Sequence, residues 1–260
     1  MKINSAFAEI LRDTKLRMLK MHYEAQVGHL GSNLSCIDAL MTIYHHALKD
    51  KDQFILSKGH SAGALYSTLW SRGKISEETL STFAQDGTLI PGHPSGSNIP
   101  GLLFPTGSLG HGLSLSAGLA LSKKFKKEQG LVFCLCSDGE FQEGSSWEGI
   151  IFSAHNKLDN LILMIDQNRL QGFGTTHETV SFSDLTSRLT AFDAEVQNVN
   201  GHCPEEILHS LSKTKKNKLN IIILNTIKGK GLHNEDELEC HYLPINTEEY
   251  LQAVKTISKE

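Results

Sequence analysis

The stretch "LVFCLCSDGEFQEG", Leu131–Gly144, runs through six apolar residues and then breaks into Ser-Asp-Gly-Glu. A continuous rather than alternating apolar run is what a strand buried on both faces requires. Runs of the same kind recur at "QFILS" (53–57), "NLILMID" (160–166), "EVQNVN" (195–200) and "NIIILN" (220–225). Helical patterns lie at roughly 36–48, 61–72, 77–85, 112–128, 145–155 and 204–215. Apolar strands separated by helices predict an α/β fold, with a mostly parallel central sheet in a three-layer α/β/α sandwich. One domain is expected over 1–260, with no internal repeat and no linker. Ligands of such sheets gather at the carboxyl ends of the strands. That rim is where the opening stretch leaves Asp138, and where "LMIDQNRLQGFG" (163–174) leaves Asp166 and Asn168.

Composition narrows the function. The 260 residues are 39% hydrophobic and 21% charged with formal net charge -4, which leaves no electrostatic footprint for nucleic acid. The basic run Lys213–Lys218 reads as a solvated helix end. No apolar run has the length of a membrane span. The N-terminal segment has apolar residues at helical spacing (Phe7, Ile10, Leu11, Met18, Met21, Ala25) and lacks the apolar block of a signal peptide. A cytoplasmic protein is expected. The five cysteines form no CxxC pair, and Cys134 and Cys136 point to one face of their strand as core thiols.

Asp138 offers a carboxylate oxygen and Asn168, thirty residues on, an amide oxygen. With a backbone carbonyl they suit a hard cation that keeps room for diphosphate oxygens. Gly139 permits close backbone approach, and the helix expected after Gly144 turns its N-terminus toward an anion. Read singly, Asp138-Gly139 is an ordinary turn and Asn168 a loop residue. Five of the thirteen histidines follow glycine: His29, His60, His93, His111 and His202. His202 reads as a structural residue at a helix start.

The pairing "SDGEFQEG…DQNRL" resembles the thiamine-diphosphate signature, GDG followed some thirty residues later by Asn. The sequences "VGHLGSNLS" (27–35), "LSKGHSAGALY" (56–66), "PGHP" (91–94), "TGSLGHGLS" (106–114), "SDGEFQEGSSWE" (137–148), "AHNKLDNL" (154–161) and "TIKGKG" (226–231) extend the likeness to the transketolase family, in that family's order, over about residues 10–245. The resemblance implies a thiamine-diphosphate-binding fold, specifically the diphosphate-binding module. The pyrimidine-binding and C-terminal domains, and the glutamate that activates the cofactor, are then expected on a separate partner polypeptide, in a heterotetramer of two copies each.

The implied reaction is transfer of a two-carbon ketol unit from a ketose, free or phosphorylated, to an aldehyde. The implied ligands of Mg²⁺ (or Ca²⁺ or Mn²⁺) are Asp138, Asn168 and the carbonyl of Leu170. Cofactor contacts fall on His60, Gly107, Ser108, Leu109, Asp138, Gly139, Glu140, Asn168 and Lys228. His29, His60, His93 and His241 are the implied catalytic residues, because imidazole moves protons near neutral pH. His29, Ser32, His93 and His241 are the implied substrate contacts, and Glu143 an interface acid. Helix-terminal and solvent-facing roles remain open for Glu143 and Lys228 respectively.

Three departures bear on substrate. Ser137 replaces the first glycine of the metal motif, His111 a usual glutamine, and Arg169 a usual glycine. Arg169 reads either as a ligand for a phosphate or carboxylate or as a solvated residue. An unusual or branched sugar, or a keto acid donor, is the alternative reading, as is a cofactor-binding subunit without turnover of its own. A dinucleotide-binding fold is the weakest rival, since "TGSLGHG" has the wrong glycine spacing.

Overall fold

A computed structural model describes residues 3–95, 99, 101–181 and 184–259. Helix α1 (Ser5–Ala25) starts where the Asn4 side chain accepts the Phe7 N–H at 2.9 Å. It is followed by α2 (Leu30–Thr42), which widens into a π-type turn over Ile43–Ala47. Next come β1 (Gln53–Leu56), α3 (Ala62–Ser71), α4 (Glu77–Leu80), α5 (Gly112–Lys126), β2 (Val132–Ser137) and α6 (Gly144–His155). After β3 (Leu161–Gln167), a small hairpin β4 (Leu170–Gln171) and β5 (Gly174–Thr175) leads to α7 (Thr176–Thr179) and α8 (Leu185–Thr190). The chain closes with β6 (Glu195–Asn200), α9 (Pro204–Ser212), β7 (Asn220–Asn225), α10 (Glu239–Tyr242) and α11 (Thr247–Ile257).

The main sheet has the order β1-β2-β3-β7-β6, and every pairing in it is parallel. Alternate residues of the buried strands feed two separate cores. Phe133, Leu135, Ile162, Met164, Ile222 and Leu224 face α1, α2, α3, α9 and α11. Val132, Cys134, Cys136, Leu163, Ile165 and Ile223 face α5, α6 and α8. Each fully buried aliphatic or aromatic side chain contributes about 1.5–3 kcal/mol. This double burial is why the strands read as unbroken apolar runs, and it places Cys134 and Cys136 on one face.

The register Ser137↔Asp166↔Leu224 aligns the carboxyl ends of β2, β3 and β7 into one rim. Three elements differ from the sequence reading. Helix α2 begins at Leu30, six residues before the expected start, because Gly31, Ser32, Asn33 and Ser35 are small enough to be buried between α3 and the sheet. The expected helix at 77–85 is regular only to Leu80 and then breaks into turns. Helix α11 was not anticipated, although Asn246 and Glu249 form a reciprocal cap at its start. Of the Gly/Pro/Ser-rich segment 85–110, positions 96–98 and 100 lie outside the described residues.

Candidate active site

Parallel pairing of β2 with β3 brings Asp138 against the loop after β3. Asp138 Oδ1 accepts the Gly139 N–H at 2.8 Å, and Oδ2 accepts the Arg169 N–H at 2.6 Å. Asn168 Oδ1 accepts the Leu170 N–H at 3.1 Å, while its amide donates to Asp166 at 3.3 Å. Asp138 is buried, and burial followed by the nearby Asp166 charge pushes its carboxyl up to about 6. A cation beside it would supply the missing counter-charge.

Asp166 itself is paired with Lys58 in a fully buried ion pair. It also accepts hydroxyl hydrogen bonds from Ser35 and Thr226, each at 2.5 Å. Despite the cost of burial, these partners hold Asp166 below the usual carboxylate range.

Four imidazoles gather beside this loop. The His29 ring lies 5.6 Å from His60, 5.5 Å from His93 and 5.1 Å from His241, with His60 and His241 6.0 Å apart. Asn33 ties two of them together, donating to the carbonyls of His29 (2.8 Å) and His60 (3.2 Å). The His29 N–H reaches the His241 carbonyl at 2.8 Å, joining α2 to α10. Gly31 makes that approach possible, since a Cβ there would stand 2.6 Å from Cys240 Sγ.

All four rings are held neutral at physiological pH. Burial, then His93 and Lys228, lowers His29 to about 4. Burial, then Lys228, lowers His241 to about 3. His60 falls well below 6.5 through burial and Lys58, and His93 falls through burial. A neutral ring offers one donor and one acceptor, which suits a sugar hydroxyl or carbonyl.

Lys228 joins the two groups. Its buried ammonium donates to the Leu170 carbonyl at 2.7 Å and to His241 Nδ1, so His241 carries its proton on Nε2. Burial, then repulsion from Lys58, lowers Lys228 to about 8.

The remaining expected residues divide. Gly107 has φ 145°, and a Cβ there would meet the His93 ring at 3.2 Å, so the loop holding it borders the imidazoles. Ser108 is exposed and Leu109 half-buried on the same loop, and both carbonyls contact His111 Nδ1 (3.2 and 3.1 Å). Gly110, at φ 83°, lets its N–H reach Glu140 at 3.0 Å.

The buried Glu140 carboxylate accepts from Ser57, Gly110 and Ser137, so it holds the 107–110 loop against β1. Ser32 is buried within α2, its carbonyl receiving Lys58 and Ser61, while its hydroxyl has no hydrogen-bond partner among the described residues. Glu143 is exposed at the start of α6.

His202 has the structural place expected of it, bonded through Nδ1 to Asp38 (2.8 Å) and through Nε2 to the Ile227 N–H (2.9 Å). Sequence reasoning missed Lys58 and Asn33. Both sit inside quoted motifs, but only the tertiary pairing reveals their work.

Among the described residues no group of three His, Cys, Asp or Glu side chains is placed to hold a metal. A cation here would rest on Asp138, the Asn168 amide oxygen and the Leu170 carbonyl, a hard-oxygen set that fits Mg²⁺. The buried Asp138 carboxyl, bonded only to the Gly139 and Arg169 N–H groups among the described residues, supports that fit.

A parallel sheet covered by helices on both faces, with its site at the carboxyl-end rim, defines the class as an α/β fold. The solved transketolase of Campylobacter jejuni superposes with a TM-score of 0.90 at 29% identity, covering 98% of this chain and 43% of its own. The chain spans less than half the length of that structure. The chain belongs to the transketolase family: residues 9–258 match "Transketolase, thiamine diphosphate binding domain". It is 37% identical over 256 residues to one of the subunits of the apulose-4-phosphate transketolase of Phocaeicola vulgatus, covering 94% of this chain and 90% of that protein. It is also 34% identical over 246 residues to the 6-deoxy-6-sulfo-D-fructose transketolase subunit SqwG of a Clostridium species, covering 90% of each.

Proposed function

We propose that this chain is the diphosphate-binding half of a two-subunit transketolase, which moves a two-carbon ketol unit from a ketose or ketose phosphate to an aldehyde. The observation that carries the reading is the convergence of four neutral imidazoles, through Lys228, on an oxygen-lined loop. Relatives of matching length named as subunits support a split enzyme. The pyrimidine-binding domain and its glutamate then belong to a partner, in an assembly of two copies each, with Glu143 at an interface. Residues 1–260 act as one diphosphate-binding domain.

When bound, thiamine diphosphate supplies the nucleophile and electron sink that side chains lack. Asp138, Asn168 and the Leu170 carbonyl would hold Mg²⁺, and Lys228 would offer its charge to the diphosphate. His29, His93 and His241 bind sugar oxygens and move protons on and off them, with His60 beside the reacting centre. The names of the two relatives, one for apulose-4-phosphate and one for 6-deoxy-6-sulfo-D-fructose, support a substrate outside the common pentose phosphates. The five unpaired cysteines suit the cytoplasm. No helix among the described residues is long and apolar enough to cross a membrane.

The test is calorimetric titration of thiamine diphosphate with Mg²⁺ into this chain, and into its mixture with a pyrimidine-domain partner. Saturable binding in the mixture, followed by ketol transfer from a screened ketose, is expected. A mixture that forms a stable complex yet binds no cofactor refutes the reading.

A further inference from the structure

A cleft of about 650 Å³ lies behind the oxygen loop, at the carboxyl ends of β3, β7 and β6, and is closed on its other side by the hairpin, α7 and α8. Gln167, Arg169, His177, Asp184, Asn198 and Asn225 are among its lining residues. We propose that this cleft is a second binding site, for a small polyhydroxylated anion of the sugar phosphate class.

The argument starts from Arg169. Its backbone sits in the left-handed region at φ 62°, which costs a non-glycine residue roughly 1–2 kcal/mol. Its main chain serves the neighbouring site: the N–H binds Asp138 at 2.6 Å and the carbonyl accepts the Thr176 N–H at 2.9 Å. Its side chain is exposed and lines the cleft, with no acidic partner among the described residues. A planar guanidinium so placed matches a phosphate or carboxylate edge.

Several of the surrounding polar groups are only partly engaged. His177 uses Nδ1 on Ser181 at 2.7 Å, which leaves Nε2. Asn225 uses its amide N–H on Val199, which leaves its oxygen. The Gln167 amide adds a donor and an acceptor. The acid in the cleft, Asp184, has both oxygens on Ser187 at the start of α8. A guanidinium beside the side-chain amides of Gln167, Asn198 and Asn225, with the Asp184 carboxylate already tied to Ser187, recognises an anion carrying hydroxyls, and the volume falls in the range of ligand pockets. Because Arg169 also holds Asp138, a ligand here is one residue from the oxygen loop.

Ribose 5-phosphate titrated calorimetrically into the chain alone, without metal or thiamine diphosphate, tests the site. Binding near about 1 mM is expected. It should weaken at least about tenfold in Arg169→Gly, and equally for ribose, which lacks the anion. Glycine is favoured at φ 62°, so that variant removes the guanidinium without misfolding the loop. The double variant His29→Ala/His93→Ala should bind as the parent does. Three results would each overturn the proposal: no binding up to about 20 mM, equal affinity in Arg169→Gly, or loss in the histidine variant. The last would move the ligand to the imidazole cluster. Neither metal nor partner enters this assay, so its outcome is separate from that of the transketolase reading.

Discussion

Asp166→Asn is the substitution for which the structure gives the clearest magnitude. It preserves shape but leaves the Lys58 ammonium, fully buried, without its counter-charge. It also turns an acceptor into a donor near the Ser35 and Thr226 hydroxyls, both now 2.5 Å away. Breaking a buried pair from one side costs about 3–5 kcal/mol, because the remaining charge stays desolvated. For a domain of this size that lowers Tm by roughly 6–20 °C. Removing both charges in Lys58→Met/Asp166→Leu should cost less than the sum of the single variants by at least about 2 kcal/mol. Urea unfolding followed by circular dichroism measures Asp166→Asn, the double variant and its two component single variants. A single-variant loss under about 1 kcal/mol, or simple additivity, would refute the view that this ion pair holds the rim together.

Gly110→Ala places a side chain at φ 83°, 2.6 Å from Ser145 Oγ and 2.7 Å from Glu143 Cβ. Thermal unfolding should show a loss of roughly 1–3 kcal/mol, and an unchanged Tm would mean the 107–110 loop is slack. His29 and His241 are held at about 4 and about 3, below the ordinary 6.5. Their stabilising contribution is therefore complete above pH 6.5 and lost as pH falls toward 4 and 3. The urea midpoint of the metal-free chain should drop across that window, less steeply in His29→Asn/His241→Asn; parallel curves would contradict this. Asp138, raised to about 6, takes up a proton as pH falls through that value. Mn²⁺ affinity, read by electron paramagnetic resonance, should then weaken about tenfold per pH unit below 6, and a flat profile would exclude Asp138 as a ligand.

The strands were legible because both faces of each are buried, so periodicity and burial carry the same message. The positions of Asp138 and Asn168 followed from strand ends, His29, His60 and His93 from their glycine-bearing motifs, and His241 only from the family resemblance. What escaped depended on packing between distant segments. The small polar start of α2 looks like a loop until α10 and α3 are seen to press against it. The Lys58–Asp166 pair joins residues 108 apart and exists only through the adjacency of β1, β2 and β3. Glu140 carries a carboxylate in the right stretch, but its geometry turns it toward Ser57 and Gly110. Helix α11 was the avoidable omission, since its cap is local.

The Lys228 ammonium has a consequence for how the molecule breathes. It bridges the carbonyl of Leu170, 58 residues away, and His241, while its own backbone is clasped to Asp236 at 3.1 and 2.9 Å. The loop after β3 and the segment from 226 to 242 therefore share one latch. Opening either should release the other, with the expected outcome that their amide hydrogens exchange with solvent as a single cooperative block. An anion that draws that ammonium toward itself would loosen or tighten both segments in the same event.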